Sequence, residues 1–229
     1  MQRLCLIAFV WCVGLTIPIW PGVAGQAVFK FEPANDWRYM SFPGREGAQF
    51  KASGGDTVIV LAEAGVGVLW HPVPLKLSGA GHARWRWRVT AGVGPTDLTK
   101  KGGDDRTLAV YFVFSDGLVA VENADLMDLL RQGKGYLLKG YLLMYVWGGL
   151  AAPGTILPSP YFDGRGRTIM KRAADAPMGV WFKETADLRS DFRSAFGRLP
   201  GRLVAVAVSS DSDDTGGVNI AAFADLDVN

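Results

Sequence analysis

The sequence predicts an all-β fold, an antiparallel β-sandwich, and three observations point to it. Beyond an N-terminal apolar run, apolar side chains recur with period two rather than 3.6. The alternating runs are short and are separated by Gly, Pro, Ser or Asp, the residues that tight turns require. The 229 residues include 29 Gly and 12 Pro, a composition suited to many turns.

Taken in order, the chain opens with the pattern of a secretory signal. Met1-Gln2-Arg3 supplies a positive charge, an apolar run follows from Leu4 to Trp20, and Pro21-Gly22-Val23-Ala24-Gly25-Gln26-Ala27 ends in small residues. Cleavage is expected after Gly25, with Ala27 as the second choice. This gives a signal peptide over 1–25 and a single β-sandwich domain over 26–229. The rival reading is an uncleaved anchor, but a run of roughly 17 residues sits at the short limit for a span, and Gly14 and Pro18 interrupt it. No later segment is apolar enough to span a bilayer, so no integral span is expected after cleavage. Lipid attachment is not expected either, because no small-residue lipobox precedes Cys5 or Cys12. Both cysteines leave with the signal and no disulfide can form, which makes a periplasmic or secreted location the expectation.

Nine runs then read as strands: Phe29 to Phe31, Thr57 to Ala62, Leu75 to Leu77, Ala83 to Thr90, Thr107 to Phe114, Tyr141 to Trp147, Thr168 to Lys171, Leu203 to Ser210 and Val218 to Leu226. In Arg84-Trp85-Arg86-Trp87-Arg88-Val89 the alternation is strict, with Trp85, Trp87 and Val89 on a core face and three arginines on a wet one. Two helices interrupt the pattern. One runs over about Asn123 to Gln132, and the other over about Asp187 to Phe196 with Gly197 and Pro200 behind it.

Charge and motifs narrow the function classes. Lys plus Arg number 24 against 22 Asp plus Glu, a net charge of +2, so no global field recruits nucleic acid or an anionic membrane. The sequence has no Gly-x-Ser-x-Gly elbow, no His-Glu-x-x-His, no dinucleotide fingerprint and no phosphate loop. Its two histidines, His71 and His82, lie beside turns. These absences favour a protein that is not an enzyme.

Two acidic clusters stand out. Asp104-Asp105-Arg106 precedes the strand Thr107 to Phe114, and Asp211-Ser212-Asp213-Asp214-Thr215-Gly216-Gly217 follows the strand Leu203 to Ser210. If the strands are antiparallel neighbours, five carboxylates gather at one end of the sandwich. Two readings stay open. In one, Asp211 and Asp213 contribute to a calcium site, although an EF-hand fails because its twelfth position is Ala222. In the other, which the residues favour, Asp side chains accept backbone N–H bonds, Gly216 and Gly217 supply positive φ, and Arg86, Arg88 or Arg106 supplies the countercharge. Among the aromatics, Trp147 before Gly148-Gly149 and Tyr161 in a Pro-flanked loop are the candidates for exposed stacking platforms.

Read together, Trp85-Arg86-Trp87-Arg88-Val89, Asp104-Asp105 before Val110 to Phe114, Tyr145-Val146-Trp147-Gly148, Asp191-Phe192 with Phe196-Gly197, and Asp211 to Gly216 form an ordered set. That set resembles the bacterial domain-of-unknown-function family numbered 3047, over about Phe29 to Val228. The resemblance implies an exported protein with a jelly-roll or galactose-binding-like sandwich and carries no assigned activity. Members often have Asn before the Pro-Tyr pair, where this chain has Ser159 before Pro160-Tyr161. The resulting expectation is a non-catalytic module for a glycan or cell-envelope component. Asp104, Asp105, Arg106, Trp147, Tyr161, Asp211, Asp213 and Asp214 are its candidate ligand-binding residues. It requires no cofactor unless calcium binds. The alternatives are an envelope glycoside hydrolase working through paired Asp residues and a structural protein-interaction module.

Overall fold

The computed structural model describes residues 27–31, 36–116 and 140–229. The leader and the helix expected at Asn123 to Gln132 lie outside the described residues. In chain order the strands are β1 (Ala27–Val28), β2 (Arg38–Met40), β3 (Glu46–Gly47), β4 (Gln49–Ala52), β5 (Thr57–Glu63), β6 (Gly65–Pro72), β7 (His82–Ala91) and β8 (Arg106–Ser115). They continue as β9 (Gly140–Trp147), β10 (Ile156–Pro158), β11 (Gly166–Arg172), β12 (Phe182–Asp187), β13 (Arg202–Asp211) and β14 (Val218–Val228). One helix, α1 (Leu188–Phe196), lies between β12 and β13.

These strands make two sheets. One has the order β12-β7-β14-β5-β4, with β1 added to β14; the other has the order β10-β11-β9-β8-β13-β6-β2, with β3 added to β6. From β5 to β8, and again from β12 to β14, consecutive strands alternate between the sheets, as in a jelly-roll sandwich. All pairings are antiparallel except β11 with β9 and β3 with β6. The segment Leu75–Leu77, expected as a strand, is instead a single 3-10 turn after Pro74; three residues are too few to distinguish the two periods. Phe29 and Phe31 are buried but lie just past the short strand β1.

Two apolar layers follow from the alternation. Between the sheets lie Trp85, Trp87 and Val89 of β7, Val110, Phe112 and Phe114 of β8, Leu143, Tyr145 and Trp147 of β9, and Phe223 of β14. Trp87 and Trp147 meet edge to face at 5.7 Å, as Trp85 and Tyr145 meet at 5.4 Å in a tilted pair. On the opposite face of the eight-stranded sheet, Ala109, Tyr111, Val113, Leu142 and Met144 join Met40, Val68 and Leu98 in a second cluster. Strand β8 is therefore apolar on both faces and reads as a continuous hydrophobic run.

The arginine ladder of β7 faces outward as expected, and it pairs across strands with acidic residues of β14 rather than with the acidic end. Arg84 pairs with Asp227 at 2.6 Å, Arg86 pairs with Asp225, and Arg86 and Arg88 both lie over the Trp181 ring. Neither Arg86 nor Arg88 pairs with the acidic end. The register decides this, because Ala224 is opposite Arg86 and Asp227 opposite Arg84 across the β14–β7 pair. The second helix forms as read. Asp187 caps it by accepting from the Ser190 N–H at 2.9 Å, and Gly197 closes it at φ 72°.

Candidate functional site

The antiparallel pairing of β8 and β13 sets Arg106 opposite Asp211, so the two acidic segments meet at one end of the sandwich. Strict alternation from Tyr111 would turn Arg106 toward the core. A register shift between Ser209 and Asp211 places an extra β8 residue there, and Arg106 emerges on Tyr111's side of the sheet. Its Nη1 donates to Asp211 Oδ2 at 3.1 Å and Asp104 Oδ2 at 3.3 Å, and its Nη2 donates to the Tyr111 hydroxyl at 2.7 Å. Tyr111 and Ser209 hydroxyls lie 2.7 Å apart. Gly148, at φ 136°, lets β9 end against this corner, because a Cβ there would stand 3.1 Å from the Arg106 Cα.

Asp105 works from behind the site. It is fully buried, and its Oδ2 accepts from the Thr215 N–H at 2.7 Å and the Thr215 hydroxyl at 2.6 Å, while Oδ1 accepts from the Asp214 N–H at 3.3 Å. The hydrogen-bonded turn is thus present, with Asp105 as its acceptor. Gly216 has positive φ as expected, at 66°. Gly217 does not; a Cβ there would stand 2.8 Å from Val93 Cγ1, so close packing is what calls for glycine. Asn219, absent from the sequence reading, ties the corner together. Its Nδ2, with two hydrogens to donate, has the Asp211 carbonyl at 2.8 Å, Ser210 Oγ at 3.1 Å and the Arg106 carbonyl at 3.2 Å within reach, and its Oδ1 accepts from the Val93 N–H at 2.9 Å. Asp105→Ala leaves those turn donors unmet and is expected to cost about 1 to 3 kcal/mol, read as a fall in the denaturation midpoint. Unchanged stability would mean that water replaces the carboxylate.

In front of this corner a cleft of about 310 Å³ opens over the outer face of the eight-stranded sheet. Its floor is apolar, with Met40, Val68, Leu142 and Met144 from the sheet and Phe42 and Leu98 beside them. Its polar end gathers Asp104, Arg106, Tyr161, Asp211, Asp213 and Asp214 with Arg45. The Tyr161 hydroxyl donates to Asp104 Oδ1 at 2.8 Å, and Arg45 lies 3.2 Å from Asp213 and 3.7 Å from Asp214. Six of the eight candidate residues therefore share the cleft, and Asp105 supports it. Trp147 is the exception. It is 1% exposed and packs between the sheets against Trp87 and Phe182, because its position in β9 puts it on the inner face. Arg45 and Tyr111 were missed. Tyr111 was legible as the polar-tipped position of β8, but nothing in the sequence near Arg45 marks it.

The charges here are strongly coupled. Burial opposes the charge on Arg106, but Tyr111, Asp211 and Asp104 outweigh it and hold the guanidinium protonated. Asp211 is pushed up to about 7, first by burial and then by Asp213, Asp105 and Asp104, against the pull of Arg106. Burial and Asp104 raise Tyr161, while burial and Asp213 raise Asp214. The unfolded chain ionises Asp211 near about 4, so between roughly pH 4 and 7 the folded state binds more protons and stability falls as pH rises. Asp211→Asn is expected to flatten the melting temperature against pH over that window. An unchanged slope would assign the pH dependence to other groups.

Asp105, Asp211 and Asp213 each place one carboxylate oxygen within 4.8 Å of the others, a spacing that calcium–oxygen distances of about 2.4 Å could bridge. Asp211 Oδ1 is buried without a hydrogen-bond partner, and that oxygen suits an ion. The remaining contacts already supply countercharge or donors: Arg106 to Asp211, Arg45 to Asp213, and the turn to Asp105. We expect a chelator to leave the melting temperature unchanged. A chelator-dependent fall, reversed by calcium, would assign the cluster to the ion.

Residues 35–227 match the model of DUF3047, proteins of unknown function. The chain belongs to the DUF3047 family. No curated protein matches it in sequence. Among solved structures, this DUF3047 chain is similar to a loop-swap mutant of Xyn11A from Necallimastix patriciarum, with 11% identity and TM-score 0.42, covering 89% of this chain and 99% of that one. It is also similar to the family 11 carbohydrate-binding module of Clostridium thermocellum, solved with a mixed-linked tetrasaccharide, with 9% identity and TM-score 0.38 over 90% and 95%. A third is the endoglucanase cel12A of Rhodothermus marinus, with 14% identity and TM-score 0.43 over 88% and 96%. No helix among the described residues is long and apolar enough to cross a membrane.

Proposed function

We propose that this DUF3047 protein is an exported, non-catalytic binding module that takes a glycan or cell-envelope saccharide in the cleft of the eight-stranded sheet. One observation carries the reading: an apolar floor runs into a convergent set of carboxylates, guanidiniums and a tyrosine hydroxyl within a cleft of about 310 Å³. This is the composition of a small-ligand site, with apolar surface for area and a few fixed polar groups for orientation. Carboxylates and guanidiniums suit vicinal hydroxyls as acceptors and donors, and the Tyr161 ring supplies a face for a pyranose. Export is supported by the leader pattern of residues 1–25.

A glycan array probed with the purified protein tests this reading. The expected result is binding to at least one envelope-type saccharide, weakened by Tyr161→Ala. Uniform absence of signal from folded protein would contradict it. A second reading, glycoside hydrolysis, is favoured by Asp211 holding its proton to about pH 7 beside Asp104. Against it, Arg106 engages both carboxylates, and both are nearly buried. Release of reducing ends from a bound glycan, abolished by Asp211→Asn, would replace the binding reading with the hydrolytic one.

A further inference from the structure

We propose that the cleft takes an amphiphilic saccharide, a sugar that carries a linear alkyl chain, an inference that rests on the saccharide reading above and narrows its ligand. The shape and chemistry of the floor carry it. Met40, Val68, Leu98, Leu142 and Met144 all line the cleft, yet each is only 1 to 7% exposed. Side chains that border an opening and still show so little surface stand close together, so the floor is a narrow slot rather than a platform. Phe42 and Phe162, packed against the same apolar cluster, line it from the flanking loops.

A pyranose ring is the wrong occupant for that slot. Its hydroxyls stand around the ring edge and need partners, and burying a hydroxyl without one is unfavourable. On the floor, Thr168, beside Met144 across the β11–β9 pair, is the polar exception. A polymethylene chain is narrow, needs no partner and gains with each methylene it buries. The unbranched thioether side chains of Met40 and Met144 can adjust to such a flexible chain. The slot runs into the polar end, where the Tyr161 ring and the carboxylates of Asp104, Asp213 and Asp214 lie. Sugar hydroxyls can donate to carboxylate oxygens there. Floor and polar end therefore follow one another in the order of an alkyl tail and its sugar head.

Titration calorimetry of the purified protein, with every probe kept below the concentration at which it forms micelles, tests this. The probes are methyl, hexyl and octyl glucoside, and octanol as a chain without a sugar. The expected result is affinity that rises with chain length, by about tenfold from hexyl to octyl glucoside as two methylenes are buried, with octanol weaker than octyl glucoside. Val68→Phe fills the slot from its floor and should flatten the chain-length dependence. Phe42→Ser, in a loop outside the strands, should weaken octyl glucoside without unfolding the protein, whereas Val180→Ser, exposed beside the other sheet, should leave it unchanged. Equal affinity for the three glucosides, or an octyl affinity that neither Val68→Phe nor Phe42→Ser alters, would overturn the alkyl-chain inference and leave the saccharide reading standing. Octanol binding as tightly as octyl glucoside would overturn the sugar head and with it the saccharide reading. No binding of any probe would overturn the alkyl-chain inference, and a blank glycan array beside it would overturn both.

Discussion

Arg106→Met is expected to destabilise the protein by about 3 to 5 kcal/mol, because it leaves buried carboxylates without their countercharge. Asp104 and Asp211 both lie within hydrogen-bond reach of one guanidinium nitrogen, and Tyr111 is held by the other. Methionine fills a similar volume but offers none of these donors. Part of the penalty is escaped by protonation, since Asp211 already holds its proton to about pH 7. The loss should therefore be larger at pH 8 than at pH 5, and chemical denaturation at both values measures it. A loss below about 1 kcal/mol at either pH would show that the pairs behave as solvated surface bridges.

Trp147→Ala is expected to cost about 3 to 5 kcal/mol, as removal of a large side chain from a closed core does. The indole packs edge to face against Trp87 at 5.7 Å and Phe182 at 5.4 Å, joining the two sheets. The conservative Trp147→Phe should lose less stability and leave ligand affinity unchanged, since the residue lies on the opposite side of the sheet from the cleft. Affinity lost in Trp147→Phe without loss of stability would restore the stacking role that the sequence suggested.

The parts of the fold legible in the sequence were those where local pattern and burial coincide. Trp85, Trp87 and Val89 alternate with arginines because one face of β7 is core, and the continuous run Val110 to Phe114 reflects burial on both faces of β8. The meeting of the two acidic segments also followed from antiparallel pairing, realised as Asp211 opposite Arg106. What escaped was set by long-range register. Arg86 and Arg88 were read as partners of Asp104 and its neighbours, but β14 brings Asp225 to Arg86 and β12 leads from Trp181, which stacks on both. Strand β6 escaped because Gly65, Gly67 and Pro72 break its alternation. Trp147 was misplaced because a strand end beside two glycines suggests exposure, whereas the face of the strand decides burial. Arg45 reaches the site from a segment remote in sequence, and no local motif could reveal it.

The most direct test of the central claim is amide chemical-shift mapping of the protein titrated with the saccharide that binds most tightly. Binding in the cleft predicts perturbations clustered at Arg45, Val68, Met144, Tyr161 and Asp214, all of which line it. Perturbations centred instead on Trp181, Arg86 and Arg88, on the outer face of the other sheet, would contradict the account and move the binding surface to the arginine ladder.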